Sequence, residues 1–393
     1  MKKYLNNAEE DKNDENSVDI DKTNDDKLVI EDQNCNNKKE NINFISVLRV
    51  LAIVSIMWGN MVPFILNSLG YDWYPLQFVR YFITNPLAIM QDFNSLGVMI
   101  FFLCSGFIIT YTAQRESLKE FIIKRIFRIY PGLIFSVISL WIIQRICTLV
   151  TGEITYWGSF GVKEWIYGGT LGNYFIGVPN VINGVTWTLI IGVMFYILCG
   201  LTYYFLKTKP LIEILLMMAI CMLSIITASS YGRLWYGVAS SVSYMVILIF
   251  GQILYYYWSK RITLRTAAIL LLINYYIFIK KIAFFSPEHY VGPNYMAVSF
   301  MYAFFLFIIG ILINDKIRLN KTTKTVDKIS YSLYLNHLTL SQLLIPLLYK
   351  NLGYDISLLI TLGIVVIISV FQYKCVELPS NKLAKKLSKY TNT

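Results

Sequence analysis

The stretch VLRVLAIVSIMWGNM, residues 47–61, sets an arginine and an asparagine within an apolar run. With its flanks the run covers roughly residues 44–66, which is long enough to cross a bilayer as a helix. Asn60 follows Arg49 by eleven positions, almost three helical turns, so both side chains project from one face of the predicted helix. Charged groups within membrane spans are costly, and they mark functional sites by default.

The rest of the chain repeats this apolar pattern. Of its 393 residues, 56% are hydrophobic and 15% are charged, whereas a soluble domain carries about 25% charged residues. The composition therefore excludes an ordinary soluble enzyme and predicts an all-α polytopic membrane protein. About ten transmembrane helices are predicted, at roughly 44–66, 92–113, 127–149, 185–206, 211–230, 237–257, 264–284, 294–314, 330–349 and 354–375.

The distribution of lysine and arginine predicts the orientation of these segments. If residues before the first segment are cytoplasmic, the inner loops and the C-terminal tail hold twenty Lys and Arg residues, and the outer loops hold six. Cytoplasmic loops carry such an excess of positive charge. Both termini are therefore predicted to be cytoplasmic, and the protein is expected to be a multi-pass protein of the plasma membrane.

The charge pattern also divides the chain. Residues 1–40 hold twelve Asp and Glu and seven Lys. They contain too few apolar groups to fold alone, and this composition predicts a disordered acidic cytoplasmic tail. Residues 41–378 form the predicted transmembrane domain, and residues 379–393 a basic cytoplasmic tail. The six cysteines are scattered and predict neither a disulfide nor a metal site. No bound cofactor and no nucleic-acid partner are expected.

Six ordered blocks across residues 44–387 resemble the acyltransferase-3 family, the bacterial integral-membrane O-acyltransferases. The first is LRVLAIVSIMWGN, in which Arg49 matches the family arginine and Asn60 stands where the family has histidine. The others are FFLCSGFIIT (101–110), FIIKRIFRIYP (121–131), TWTLIIGVMFYIL (186–198), ISYSLYLNHLTL (329–340) and VELPSNKLAKKL (376–387). In the fourth block, Gly192 stands where the family has glutamate.

The resemblance implies transfer of an acyl group, expected to be acetyl, from a cytoplasmic acyl-CoA to a hydroxyl of a cell-surface glycan, exopolysaccharide or glycolipid. The site residues that it implies are Arg49, Asn60 and His337 for catalysis, and Ser105, Arg125, Arg128, Tyr130, Trp187 and Tyr331 for substrate or donor binding.

Several of these residues have a second interpretation. Arg125 and Arg128 are spaced to share a helix face and grip a phosphate, but they also fit ordinary positive-inside topology. Arg49 could snorkel to headgroups, and Asn60 could serve only in helix packing. Asparagine has no useful basicity, so a base must come from elsewhere. His289, in the predicted outer loop, could reach the outer site as a substitute base or have no role. His337, predicted in the cytoplasmic half of its span, could act near the thioester or be a buried structural histidine.

The predicted depths of Asn60 and Gly192 in the membrane give one further expectation. Asn60 lies about 9 Å from the outer end of its predicted span and Gly192 about 10 Å from the outer end of its own, so the two positions are expected to face each other. Two functions stay open: an active O-acyltransferase, or a catalytically degenerate member that binds, translocates or regulates. A secondary transporter would favour internal repeats, and the sequence shows none.

Overall fold

A computed structural model describes residues 42–152, 155–182, 184–289 and 296–390. The tail predicted over residues 1–40 lies outside the described residues, as do residues 391–393 and the side chain of His289. The described residues contain helices and turns and no β-strand, which confirms the all-α class.

Fifteen α-helices make up the described part of the chain, several of them extended by π-helical or 3₁₀ turns. They are α1 (Asn43–Gly59, continued by a π turn at Asn60–Phe64 and a helical turn at Ile65–Leu69), α2 (Tyr74–Val79, continued by a π turn at Arg80–Thr84), α3 (Asn94–Arg115), α4 (Leu118–Thr151), α5 (Val162–Thr170), α6 (Asn173–Ile176), α7 (Thr186–Leu201), α8 (Tyr203–Thr208), α9 (Pro210–Thr227), α10 (Gly232–Ser243), α11 (Met245–Trp258), α12 (Leu264–Phe285), α13 (Met296–Leu312), α14 (Lys321–Gln372) and α15 (Leu378–Tyr390), with a π turn at Tyr373–Glu377 between the last two.

Seven helices of the described residues are long and apolar enough to cross a membrane, and α7 and α13 are shorter apolar helices. The protein is therefore a multi-pass membrane protein. One of the seven continuous stretches, Lys321–Ser388, is much longer than a bilayer crossing needs. It is broken at Gly353, where φ is 74° and ψ is 173°. The count of ten spans and the orientation stay predictions.

Two predicted segments begin later than the helices that contain them. Segment 127–149 lies in α4, which begins at Leu118, and segment 330–349 lies in α14, which begins at Lys321. In both, the first nine residues include several charged side chains: Lys119, Glu120, Lys124 and Arg125 in α4, and Lys321, Lys324, Asp327 and Lys328 in α14. Hydropathy marks only the apolar part of a helix, so it placed these starts nine residues too late.

Helix α3 lies at the centre of the bundle because small residues let its neighbours approach closely. A Cβ atom on Gly106 would overlap the carbonyl oxygen of Leu248 on α11, and one on Gly251 would overlap the carbonyl oxygen of Leu103. Small residues at helix crossings give van der Waals packing in the absence of a hydrophobic driving force between helices. The α3–α11 crossing thus holds α3, which carries residues of both cavities described below.

Helices α1 and α14 run side by side in the same direction. Near their N-terminal ends they are joined by the hydrogen bond from Ser46 Oγ to Asp327 Oδ2, at 2.9 Å. The next contact along both helices is from Arg49 Nη2 to Ser330 Oγ, at 3.0 Å. Arg49 and Asn60 both contact α14, as their shared helix face predicts.

A π turn at Asn60–Phe64 interrupts α1 and contains Pro63. Proline lacks the N–H that the helical ladder needs, and its ring disturbs the preceding turn. Single π turns within helices are frequent at functional sites. Here the turn begins at Asn60.

Candidate functional site

Three arginines line one cavity of about 330 Å³ between α1, α3, α4, α7 and α14. We name it the arginine cavity, and we define it by Arg49, Ser105, Arg125, Arg128, Gly192 and Tyr331. Its remaining wall is largely apolar, with Phe102, Ile109 and Leu248 among the lining residues. The cavity thus has cationic groups on a wall that is otherwise mostly apolar.

The three arginines differ in how their charge is compensated. Arg49 Nη1 lies 3.0 Å from Asp327 Oδ1, and Arg125 Nη2 lies 3.4 Å from Glu116 Oε2. Arg128 makes no direct ion pair within the described residues, although the buried carboxylate of Glu377 lies within electrostatic range of it. The Arg128 guanidinium lies 5.6 Å from the centre of the Tyr331 ring. Arg128 is therefore the guanidinium most available to an anionic ligand.

Two contacts fix the Tyr331 ring beside the Arg128 guanidinium. Its hydroxyl donates to the backbone oxygen of Ile129 at 2.8 Å, and its ring packs on Gly132, where a Cβ atom would lie 2.8 Å from ring atom Cε1. Tyr130, predicted for the same site, is half-buried on α4, but it does not line the arginine cavity.

A second, more polar cavity of about 700 Å³ lies around the π turn of α1 and the start of α3. We name it the amide cavity, and we define it by Asn60, Arg80, Asp92, Asn94, Trp187 and Gln342. Its two charged groups form an ion pair, with Arg80 Nη2 at 2.8 Å from Asp92 Oδ2. The charge of the wall is thus balanced internally, and the amides supply most of its hydrogen-bonding groups.

Asn60 and His337 are in direct contact. Asn60 Nδ2 lies 3.0 Å from His337 Nε2, and Asn94 Nδ2 donates to Asn60 Oδ1 at 3.1 Å. On the other side of the ring, His337 Nδ1 lies 2.8 Å from the backbone oxygen of Tyr334 and 3.1 Å from that of Leu333.

These contacts determine where the imidazole carries its proton. Carbonyl oxygens only accept hydrogen bonds, so Nδ1 must be the protonated nitrogen. Nε2 then presents a lone pair and accepts from the Asn60 amide. This assignment follows from the hydrogen-bond network. His337 is fully buried and Asn60 is 8% exposed, so the Asn60 amide covers the unprotonated nitrogen from the side of the amide cavity.

The prediction that His337 lies in the cytoplasmic half of its span, at a different depth from Asn60, is wrong. His337 lies seven residues into the predicted segment but sixteen residues into α14, which begins at Lys321. That distance is about 24 Å at 1.5 Å per residue. Asn60 lies seventeen residues after the start of α1, about 26 Å along its own helix. Because α1 and α14 run in the same direction, the two residues meet.

The expected pairing of Asn60 with Gly192 is also wrong. Gly192 lines the arginine cavity, whereas Asn60 lines the amide cavity. A Cβ atom on Gly192 would meet no atom within 4 Å, so this glycine leaves space open in the arginine cavity. Trp187, one turn earlier on α7, lines the amide cavity instead.

A layer of aromatic rings separates the two cavities. Phe101 of the arginine cavity stacks on Tyr334, with ring centres 5.7 Å apart and planes 9° apart. Phe102 meets Trp187 edge to face at 6.1 Å. Tyr334 also links the layer to the polar network, because its backbone oxygen accepts from His337 Nδ1.

Sequence reasoning missed the partners of the predicted residues. Asp327 pairs with Arg49, Asn94 orients Asn60, and Asp92 pairs with Arg80. The Ser-Tyr-Ser block of α14 signalled a site, but nothing in one sequence ties Asp327 to Arg49 across 278 positions. Within the described residues no group of three or more His, Cys, Asp or Glu side chains could hold a metal ion.

A family model described as an acyltransferase domain matches residues 42–372 of the chain. No curated protein matches the chain, and no solved structure matches it.

Proposed function

The chain belongs to the acyltransferase-3 family, and from this membership we propose that it transfers an acyl group from an acyl-CoA to a hydroxyl of an acceptor. The observation that carries the proposal is the pair of cavities on either side of the Phe101–Tyr334 stack. One is cationic and largely apolar, and the other is polar and rich in amides.

The arginine cavity suits the donor. Arginine grips phosphate with two parallel hydrogen bonds, and among the described residues Arg128 makes no direct ion pair that would occupy its hydrogen-bonding groups. The apolar wall beyond it suits the pantetheine arm. The predicted orientation turns this cavity toward the cytoplasm, where acyl-CoA is made. The acyl group that the family resemblance implies is acetyl.

The amide cavity suits the acceptor. Asparagine and glutamine both donate and accept hydrogen bonds, as recognition of a polyhydroxylated molecule requires, and Trp187 offers an aromatic face. The predicted orientation turns this cavity toward the outside of the plasma membrane. A surface glycan, an exopolysaccharide or a lipid-linked saccharide fits these features.

His337 is the base in this proposal. The acceptor hydroxyl takes the place of the Asn60 amide at Nε2 and gives its proton to that nitrogen. The hydroxyl oxygen bonds to the thioester carbonyl carbon, the carbon–sulfur bond breaks, and the thiolate of coenzyme A takes the proton from Nε2. The displaced Asn60 amide donates to the carbonyl oxygen as negative charge develops there. The Phe101–Tyr334 stack must part for the thioester to arrive.

The test is acyl transfer from labelled acetyl-CoA to the surface glycans of permeabilised cells that express the full chain, with Arg128→Gln beside it. The matched control is Arg145→Gln, which removes an exposed guanidinium from the same helix, away from the cavity. We expect Arg128→Gln to raise the donor KM at least tenfold, and Arg145→Gln to leave it unchanged.

Labelled glycan that does not depend on Arg128 would contradict the assigned donor site. No transfer by a folded wild-type chain, with any acyl-CoA, would overturn the enzymatic proposal and leave a role in binding, translocation or regulation.

A further inference from the structure

Asn94 is the first residue of α3, and its side chain meets Asn60 at the wall of the amide cavity. Its Nδ2 donates to Asn60 Oδ1 at 3.1 Å. The six sequence blocks do not include Asn94.

The backbone that leads into Asn94 has an unusual conformation. Gln91, Asp92 and Phe93, which precede it, all have left-handed backbone conformations, with φ of 55°, 47° and 78°. Such conformations cost about 1–2 kcal/mol per residue, and they persist only where the surroundings fix them. The Asp92 carboxylate is fixed by Arg80 and by the Thr84 hydroxyl.

Helix α1 also approaches Asn94 closely. A Cβ atom on Gly59 would lie 2.9 Å from both the Cα and the N atoms of Asn94. Glycine at position 59 thus lets the backbone of Asn94 pack directly on the turn that carries Asn60. Backbone packing therefore brings the main chains that carry the two amides close together.

The direction of the Asn60 amide decides the protonation of His337. With Asn94 donating to Oδ1, the NH₂ group of Asn60 faces Nε2 and needs a lone pair there. If the amide were turned round, its oxygen would face Nε2 and would need a proton there. Nδ1 would still need its own proton for the backbone oxygens of Leu333 and Tyr334. The ring could satisfy both contacts only as a doubly protonated cation, which burial disfavours and which cannot accept the proton of a hydroxyl.

We propose that Asn94 is a positioning residue that fixes the Asn60 amide and thereby keeps His337 as the neutral Nδ1–H tautomer. The structural part of this inference stands on the four hydrogen bonds alone. Its consequence for turnover rests on the proposed function, in which His337 is the base.

The first test needs no enzymatic activity. The chain has two histidines, so full-length protein carrying His289→Gln and ¹⁵N-histidine reports on His337 alone. We expect one protonated and one unprotonated ring nitrogen. In Asn94→Asp the new carboxylate can only accept, so it draws the Asn60 NH₂ group toward itself, and we expect both ring nitrogens to be protonated at the same pH.

Asn94→Ala is the second variant, because it removes the donor without adding charge or bulk beside Gly59. We expect it to give a mixture of the two ring states. The control is Asn351→Asp, the same chemical change at an exposed residue of α14, which should leave the spectrum of the parent unchanged. One protonated and one unprotonated nitrogen in both Asn94 variants would overturn the proposal, and so would a proton on Nε2 in the parent.

The second test is kinetic. We expect Asn94→Asp to lower kcat at least tenfold, to leave the donor KM within twofold, and to recover activity as the pH is raised. A raised donor KM with unchanged kcat would contradict a positioning role. If wild-type protein transfers no acyl group, the proposed function fails, while the nitrogen spectra still decide the role of Asn94.

Discussion

At the scale of single residues, His337 is the proposed general base. A positioned base contributes about 10²–10⁴-fold to a rate. We therefore expect His337→Gln to lower kcat by that factor and to leave the donor KM unchanged, because His337 does not line the arginine cavity. Steady-state kinetics with acyl-CoA measures both constants. His289→Gln, which changes the other histidine of the chain, is the control, and an equal loss in both variants would refute this assignment.

Two residues depart from the family pattern, and the structure predicts that restoring them together has no joint effect. In Asn60→His the new side chain would lie beside His337. In Gly192→Glu the carboxylate would enter the arginine cavity and compete for the guanidinium groups. We expect the double variant to turn over no faster than Asn60→His alone, and to have a higher donor KM. A double variant whose kcat exceeds that of both single variants would show that the two positions cooperate.

Contacts between neighbouring turns of one helix could be predicted from the sequence, whereas contacts between residues of different helices could not. The i, i+3 spacing of Arg125 and Arg128 is a local property of one helix, and both residues do line one cavity. The contact between Asn60 and His337 joins residues 277 positions apart, and it depends on where each helix starts. Hydropathy does not report that start, so the depth of His337 was misjudged.

At the scale of helices, the α3–α11 crossing controls the position of the cavity walls. A side chain at Gly106 would overlap the Leu248 backbone, and overpacking of this kind costs about 1–3 kcal/mol or more. We expect Gly106→Val to lower the thermal unfolding midpoint of the purified protein. Gly363→Val is the matched control, because a Cβ atom there meets nothing within 4 Å. Equal midpoints for the two variants would mean that the bundle can relax at this crossing.

The helical class and the membrane location could be read from composition and periodicity, because each apolar run of about twenty residues has few alternatives in a bilayer. The π turn at Asn60–Phe64 could not. Pro63 signalled an irregularity in α1, but the same signal fits a kink or a helix end. The break at Gly353 was likewise compatible with the predicted loop between two spans.

At the scale of the whole molecule, the two cavities should open on opposite faces of the membrane. The positive-inside pattern predicts that Ser68, beyond the π turn of α1, is outside, and that Lys382 of α15 is inside. Both residues are exposed. In intact cells we expect a membrane-impermeant thiol reagent to label Ser68→Cys beyond the level of the parent chain, and Lys382→Cys only after permeabilisation. The reverse pattern would invert the orientation and move the donor site outside.

The left-handed run Gln91–Asp92–Phe93 implies that thermal stability and the rate of turnover oppose each other in this loop. Glycine adopts this conformation without a steric cost, so Gln91→Gly should raise the unfolding midpoint of the protein. The same change removes a stiff segment that aims Asn94, and we expect a slower enzyme. Measurement of the unfolding midpoint and of kcat on one preparation would show whether the strained backbone lowers stability while it positions the Asn94 amide for turnover. A variant that is both more durable and equally fast would show that the rigidity of this loop has no functional use.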